Sequence, residues 1–398
     1  MKILVINTDY PEFLARFYET KPELRTASFA TQMSERMATL FGVADFYSQA
    51  LRSAGHDATD LLINNEIMQL AWLNERGVDF PREQWKFRLR RGWLPWVSRV
   101  KRQDWMLNAL AEQVRYFQPN LIFSHEMCLI PPSFWREHKP KHTILTGQIS
   151  WIHQLDQSGS PRLAVPDTEE WGIYDLVVSS FPTTVDYCTR KGIASMLCRL
   201  AFEPTVRNHF PQVNRDTAVS FVGAIGTGIH KSRLSWLNHV CSQSEVDVWS
   251  PSESSIPADS PIRRHLHGNA WGREMYGILN RSRITLNHHG DVPSHANNLR
   301  LYEATGMGSL LITDWKSDLD QILAPGIECV AYRSPEECVE QIRYYTSHPR
   351  EAAVIAAAGQ QRTRRDHSYS VRIQSVLTAI RDRSGLVKHN ERRLPENV

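Results

Sequence analysis

The sequence predicts an α/β protein of two units, each with a parallel sheet covered by helices on both faces. Three observations lead there. Short apolar runs of strand length alternate with longer stretches of helical spacing, the pattern of successive βαβ units. A polar stretch, Phe202 to Asp216 with Pro204 and Pro211, breaks the alternation, which then restarts. The length of 398 residues suits two or three domains of roughly 150 residues each.

The elements follow in chain order. Ile3 to Ile6 is a short apolar run ended by Asn7, Thr8 and Asp9, and reads as a buried strand. Phe41 to Gly55 reads as a helix closing on glycine, and His56 to Ile63 as the next strand. Leu107 to Phe117 has helical spacing; Pro119 and Asn120 break it before the strand Leu121 to Ser124. Thr143 to Thr146, Leu176 to Ser179 and Ala194 to Cys198 are further strands, with a helix at Pro182 to Lys191 capped by Gly192. After the polar stretch, strands are expected at Ala218 to Val222, Val246 to Trp249, Ile284 to Leu286 and Leu310 to Thr313. Helices are expected at Lys231 to Cys241, Arg273 to Asn280, Asn298 to Gly306 and Pro335 to Thr346, then at Pro349 to Arg364 and Ser370 to Arg381. The charged segment from Ser384 onward lacks apolar periodicity and reads as a flexible tail. The expected division is 1–203, 204–367, a helix at 368–383 packing toward the first domain, and a tail at 384–398.

Composition excludes several classes. A net charge of +3 gives no reason to expect a nucleic-acid partner. Six cysteines without a CxxC pair argue against a structural zinc site or a disulfide framework and suit a reducing cytosol. The apolar run of MKILVINTDY is too short for a signal peptide, and no segment reaches 18 consecutive apolar residues. A cytoplasmic protein is expected, at most peripheral at the inner membrane face.

Four segments carry residues suited to an anionic, hydroxyl-rich ligand. In Asn297-Asn-Leu-Arg-Leu-Tyr-Glu-Ala-Thr-Gly-Met-Gly308, Asn298 stands where it can cap a helix, and Arg300 and Glu303 share one face. A helix N-terminus and an arginine fork suit a diphosphate, and a carboxylate suits sugar hydroxyls. An internal Arg300–Glu303 pair on a surface helix is the competing reading. In Ser220-Phe-Val-Gly-Ala-Ile-Gly-Thr-Gly-Ile-His-Lys-Ser-Arg233, a strand enters a glycine-rich turn and a helix bearing Lys231 and Arg233. This is not a P-loop, since GK[ST] is absent. After the strand ending at Leu286, Asn287 and His289 are candidate ligand contacts; no carboxylate at metal-ligand spacing accompanies His288 and His289. In Pro119-Asn-Leu-Ile-Phe-Ser-His-Glu126, His125 sits at a strand end, as Asp9 does after the first strand; Gln148 and His153 are weaker candidates. A fifth stretch, 85–102, interleaves Trp85, Phe87, Trp93 and Trp96 with basic residues, suiting membrane headgroups, an anionic acceptor or nucleic acid, or else a solvated helix face with inward tryptophans.

The run from Asn298 to about Tyr369, NLRLYEATGMGSLLITDWKSDLDQILAPGIECVAYRSPEECVEQ and onward to the terminal HSY, resembles the C-terminal half of group-1 glycosyltransferases. It is closest to the spore-maturation-like (CgeB-like) branch. The resemblance implies a GT-B fold, with two Rossmann-like domains facing across a cleft and C-terminal helices crossing back to the first. It implies a metal-independent transferase that moves a sugar from a nucleoside diphosphate sugar, the co-substrate in place of any cofactor, to a glycan, lipid-linked or small-molecule hydroxyl. Gly223, Lys231, Arg233, Asn287, His289, Asn298, Arg300, Tyr302 and Glu303 are its implied donor contacts, Glu303 on the ribose. His125 matches the histidine that reaches the transferred sugar, and Asp9 is placed to bind acceptor or act as base. His295 stands where the retaining families carry an earlier glutamate. The other reading is a non-catalytic nucleotide-sugar or carbohydrate-binding protein that kept the fold.

Overall fold

The computed structural model describes residues 1–78, 83–90, 94–101, 105–150, 153–155, 161–163, 168–212, 214–226, 230–291 and 295–391. Two compact units emerge. One comprises Met1–Ile149, Val165–Val178 and Cys188–Ser195; the other comprises Ser150–Ala164, Ser179–Tyr187 and Met196–Val398. The chain thus passes between units more than once, ahead of the single division at 203/204 that the sequence suggests.

The first part of the chain runs β1 (Lys2–Asn7), α1 (Pro11–Thr20), α2 (Phe29–Met37), α3 (Phe46–Ser53), β2 (Asp57–Leu62) and α4 (Glu66–Glu75). It continues with β3 (Glu83–Arg90), β4 (Leu94–Lys101), α5 (Trp105–Phe117), β5 (Leu121–Ser124), α6 (Pro132–His138) and β6 (Ile144–Gln148). Then come β7 (His153–Leu155), β8 (Pro161–Leu163), β9 (Leu176–Ser179), α7 (Pro182–Arg190) and β10 (Ser195–Leu197). The sheet order is β10-β9-β6-β5-β1-β2, with parallel pairing such as Ile6 opposite Ser124. Ile3 to Ile6 and all of β5 and β9 are buried, as expected of parallel strands covered on both faces. β3 and β4, which carry most of the stretch 85–102, pair antiparallel; residues 91–93 and 102 and the side chains of both strands lie outside the described residues.

The second part runs β11 (Thr217–Val222), α8 (Ser232–Gln243), β12 (Asp247–Trp249), α9 (Arg273–Arg281), β13 (Ser282–Asn287), α10 (Leu299–Gly306) and β14 (Leu310–Asp314). It ends with β15 (Val330–Tyr332), α11 (Pro335–Ser347), α12 (Pro349–Asp366) and α13 (Tyr369–Glu391). The parallel sheet is ordered β12-β11-β13-β14-β15. Its core joins Val219, Phe221, Leu286 and Ile312 on the strands to Leu237 and Val240 on α8 and Ile342 on α11. Truncating one of these, Leu237→Ala for instance, costs about 2–5 kcal/mol. Two glycines allow close packing here. A Cβ on Gly306 would lie 2.3 Å from the Phe202 ring, and one on Gly359 would lie 2.2 Å from the Glu328 carbonyl oxygen. The last helix reaches Glu391, beyond position 384 where the sequence reading begins a tail.

Both sheets reverse direction of growth beside their first strand. In the first, the chain leaves β1 for β2 and returns to β5 on the other side. In the second it leaves β11 for β12 and returns to β13. Ligands of open α/β sheets bind outside the carboxyl ends of strands at such reversals. There stand Thr8, Asp9, His125 and Glu126 in the first sheet, and Gly223, Ala224 and Asn287 to His289 in the second.

Candidate functional site

At the reversal of the second sheet two arginines converge. Arg233, in the first turn of α8, is buried and donates from Nε to the His288 carbonyl (2.7 Å) and from Nη1 to the Ala224 carbonyl (3.1 Å). Arg300, in the first turn of α10, donates from Nη2 to the Val222 carbonyl (3.1 Å) and from Nη1 to Glu303 Oε2 (2.7 Å). Arg300 Nε is buried without a hydrogen-bond partner among the described residues. Burial, reinforced by the Arg300 charge, pushes the Arg233 guanidinium down to about 10, against the attraction of Asp314. Burial pushes Glu303 up, opposed by Arg300 and by a hydrogen bond with Tyr276. Two guanidiniums therefore share a buried corner in which Glu303 is the one directly paired carboxylate among the described residues. Asp314 and Asp291 also attract Arg233, so what this corner offers an anion is two guanidiniums held in place side by side.

Gly223 adjoins this pair. Its N–H is occupied by the Trp249 carbonyl (3.0 Å), and a Cβ there would lie 3.4 Å from Arg233 Nη1. Its contribution is thus room for Arg233 rather than a free donor. Residues 227–229 of the glycine-rich turn lie outside the described residues. Lys231 is exposed at the residue before α8. Asn298 caps α10 as the sequence suggests, Oδ1 accepting from the Leu301 N–H (3.3 Å), while its Nδ2 donates to Asn287 Oδ1 (2.8 Å). Asn287 in turn donates to Thr313 Oγ1 (2.8 Å). These two asparagines tie the α10 start to the ends of β13 and β14.

His289 is buried with Nδ1 2.6 Å from Asp314 Oδ1, which also accepts the His289 N–H (2.8 Å). Lys316 Nζ lies 3.3 Å from the other Asp314 oxygen. Burial alone would raise Asp314, but the His289 hydrogen bond and the charges of His289, His288 and Lys316 hold it well below the usual carboxylate range. His289 Nε2 is buried with no partner among the described residues. Asp314 was legible only as the residue after a strand, yet it is the group that orients His289. His288 stacks on Trp236 (4.9 Å) and meets the Tyr332 hydroxyl (3.0 Å); burial pushes it down to about 4.

Tyr302 does not join the arginines. It is fully buried, its ring edge-on to His367 at 5.4 Å. At 100° per residue, Tyr302 lies on the helix side away from Arg300 and Glu303, so the expected donor contact is corrected to a core role. The Arg300–Glu303 pair exists as the competing reading had it, but buried rather than on a surface. His295 Nδ1 lies 3.4 Å from Asp318, which Arg199 also engages at 2.7 Å.

In the first sheet, Asp9 is corrected as well. Both its oxygens are taken by Arg36, through Nε (2.8 Å) and Nη2, and both side chains are almost completely buried. Arg36 is itself flanked by Phe13 (5.0 Å) and Phe41 (5.6 Å). A carboxylate clamped in this way serves the fold and is not available as a base or an acceptor contact. His125 packs between Tyr47 (4.6 Å) and Phe123 (4.9 Å), with Nε2 buried and unpartnered among the described residues. Burial pushes its imidazole down to about 3, so it is neutral at pH 7. Nearby, Thr8 donates to Glu126 (2.7 Å), whose carboxyl burial pushes up, and Tyr47 donates to Gln148 (3.1 Å). The His153 side chain lies outside the described residues.

Among the described residues, no group of three or more His, Cys, Asp or Glu is arranged to hold a metal ion, and no helix is long and apolar enough to cross a membrane. An apolar cavity of about 230 Å³, lined by Ala352, Ala353, Ala356 and Ala357, lies by Arg283 and Ala218 near the amino ends of β13 and β11, away from the arginine pair.

Residues 245–378 match the glycosyl transferase-like family model. That segment carries β13, α10 and β14, with Arg300, Glu303 and Asp314. Solved structures match over the whole chain. AviGT4, a glycosyltransferase involved in avilamycin A biosynthesis, aligns with a TM-score of 0.57 at 15% identity, covering 97% of this chain and 98% of its own. HepE of Anabaena, in complex with UDP-glucose, aligns at 0.56 and 10% identity over 96% and 100%. Sucrose-phosphate synthase of Thermosynechococcus elongatus aligns at 0.54 and 11% over 96% and 98%. The chain has a GT-B fold. No curated sequence matches it.

Proposed function

We propose that this chain is a glycosyltransferase that moves a sugar from a nucleoside diphosphate sugar to an acceptor hydroxyl. The observation that carries the reading is the buried pair Arg233 and Arg300 at the reversal of the second sheet, in and beside the segment that matches the glycosyl transferase-like family. The leaving group of such a transfer is a diphosphate. Two preorganised guanidiniums, already held by backbone carbonyls, stabilise charge as it develops there and take the part a metal ion plays in other transferases. Glu303 has Oε2 on Arg300, and its carboxylate also suits ribose hydroxyls.

Retention is the outcome we favour, on the match of His125 and Glu303, with His125 acting as a neutral imidazole. We place the chain in the spore-maturation-like branch on the Asn298 to Tyr369 motif, and at the cytoplasmic side, with the stretch 85–102 as a peripheral membrane contact for a lipid-linked acceptor. HepE was crystallised with UDP-glucose, so uridine donors are the first to test. Asp9, locked by Arg36, is not available as the base an inverting enzyme needs. One feature favours a second reading, a non-catalytic nucleotide-sugar or carbohydrate binder: His295, on Asp318, stands where the retaining families carry a glutamate.

Thermal unfolding with a panel of nucleoside diphosphates tests the first requirement. A nucleotide at a hundredfold excess over its Kd stabilises by about 2.7 kcal/mol, a rise of several degrees. No rise with any nucleotide sinks the transferase reading; binding without turnover of any nucleotide sugar favours the second.

A further inference from the structure

A second ligand space lies within the same unit. The loops after β13, β14 and β15, with α8 and the start of α11, line a cavity of about 640 Å³. Ser232, Ser235, Trp236 and His239, spaced for one face of α8, form part of its lining. It contains none of Arg233, Arg300 or Glu303. It adjoins them through His288, whose ring lines the cavity while its carbonyl accepts from Arg233.

Two basic side chains, Lys316 and Arg333, line it with one carboxylate, Asp314. Lys316 is largely buried, 3.3 Å from Asp314 Oδ2, and Asp314 is already engaged by His289 at 2.6 Å. Arg333 stacks on the Trp315 indole at 4.1 Å and has no ion-pair partner among the described residues. Two further carboxylates, Glu336 and Glu337, stand in the first turn of α11 outside the lining. His239 faces Glu336 at 3.5 Å, and Glu337 accepts the Arg333 backbone N–H at 2.6 Å. Ser334 caps the 13-residue helix α11 at the cavity wall, adding the positive end of its dipole. Trp315 is 41% exposed, a flat apolar face of the kind on which the C–H face of a sugar ring rests.

We propose that this cavity binds a phosphorylated sugar, with the phosphate on Lys316 and Arg333 and the ring on Trp315. A guanidinium fork and an ammonium match a phosphomonoester, and the indole selects for the attached ring. Naming that sugar phosphate as the acceptor rests on the glycosyl-transfer reading; its binding does not.

Calorimetry on the full chain tests this with glucose 6-phosphate, glucose, inorganic phosphate and UDP, against Lys316→Met, Arg333→Met and Trp315→Ala. Unchanged melting temperatures establish that the variants fold. Glucose 6-phosphate should bind saturably, tighter than phosphate or glucose. Each charge variant should weaken it about tenfold or more, since a charge-assisted contact to phosphate is lost. Trp315→Ala should weaken glucose 6-phosphate and leave phosphate unchanged, and neither Trp315→Ala nor Arg333→Met should move UDP affinity. Three results overturn the proposal: no binding of glucose 6-phosphate at millimolar concentration, phosphate binding as tightly as the sugar phosphate, or a loss of UDP affinity in either of those two variants matching that of glucose 6-phosphate. Saturable glucose 6-phosphate binding in a chain that turns over no nucleotide sugar upholds the site and removes the transferase reading alone.

Discussion

Replacing Arg233 by methionine separates what this side chain does for the fold from what it does for a ligand. In the fold, Arg233 supplies donors to two carbonyls, those of His288 at 2.7 Å and Ala224 at 3.1 Å. Methionine fills a similar volume but leaves both acceptors without that donor, at about 1–3 kcal/mol for a buried group. Against this, removing a buried guanidinium beside Arg300 relieves repulsion and a desolvation cost that already pushes Arg233 down to about 10. The two effects oppose one another, so the net loss of stability is expected at about 1–2 kcal/mol, a fall of a few degrees in Tm. For a bound diphosphate there is no such compensation. Losing one charge-assisted contact weakens binding by about 1.5–3 kcal/mol, a factor of roughly 10–100 in Kd. Calorimetric titration of UDP into wild type, Arg233→Met and Arg233→Lys measures this, with lysine expected between the two because it keeps the charge and loses the fork. A folded Arg233→Met protein that binds UDP within about twofold of wild type would falsify the assignment of this corner to the diphosphate.

Two further outcomes follow from buried charge. Asp9→Asn removes one partner of the Arg36 pair and leaves a buried guanidinium uncompensated, so urea denaturation should show a loss of about 3–5 kcal/mol; a loss below about 1 kcal/mol would mean the pair is not closed as described. Burial holds His125 at about 3 and His288 and His367 at about 4, all below the value of about 6.5 in an unfolded chain. Below pH 6.5 the unfolded chain takes up protons that the native one does not. The stability these imidazoles allow at neutral pH is therefore lost as pH falls from about 6.5 toward 4, by about 1–2 kcal/mol each at pH 5. His367→Gln should flatten the slope of Tm against pH, since glutamine can still offer a donor to the Ile322 carbonyl and an acceptor to Arg372; an unchanged slope counts against burial as its origin.

Four of the five strands of the second sheet were readable as short apolar runs between helical stretches, while the three-residue β15 was too short to stand out. The Asn298 cap and the Arg300–Glu303 face followed from spacing alone. Parts of the first unit were hidden for physical reasons. Helix α2 buries Gln32 and Arg36, so no apolar stripe marks it, and α4, EIMQLAWLNE, is apolar on most sides. The fate of Asp9 could not be read because its partner stands 27 residues away on that unmarked helix. Asp314 carried a weak signal, a carboxylate directly after a strand, at the end of the sheet where ligands bind. Tyr302 packs into the core against His367. Helical rotation already separates it from Arg300 and Glu303, and the family motif outweighed that geometry.

The central claim is that the arginine corner serves sugar transfer from a nucleotide donor. Release of nucleoside diphosphate from a panel of nucleotide sugars, compared between wild type and Arg300→Met, tests it most directly. Wild type should release nucleoside diphosphate from at least one donor, with kcat/KM reduced at least about tenfold in the variant. Release that is equal in the two proteins, or absent for every donor while the protein is folded, contradicts it.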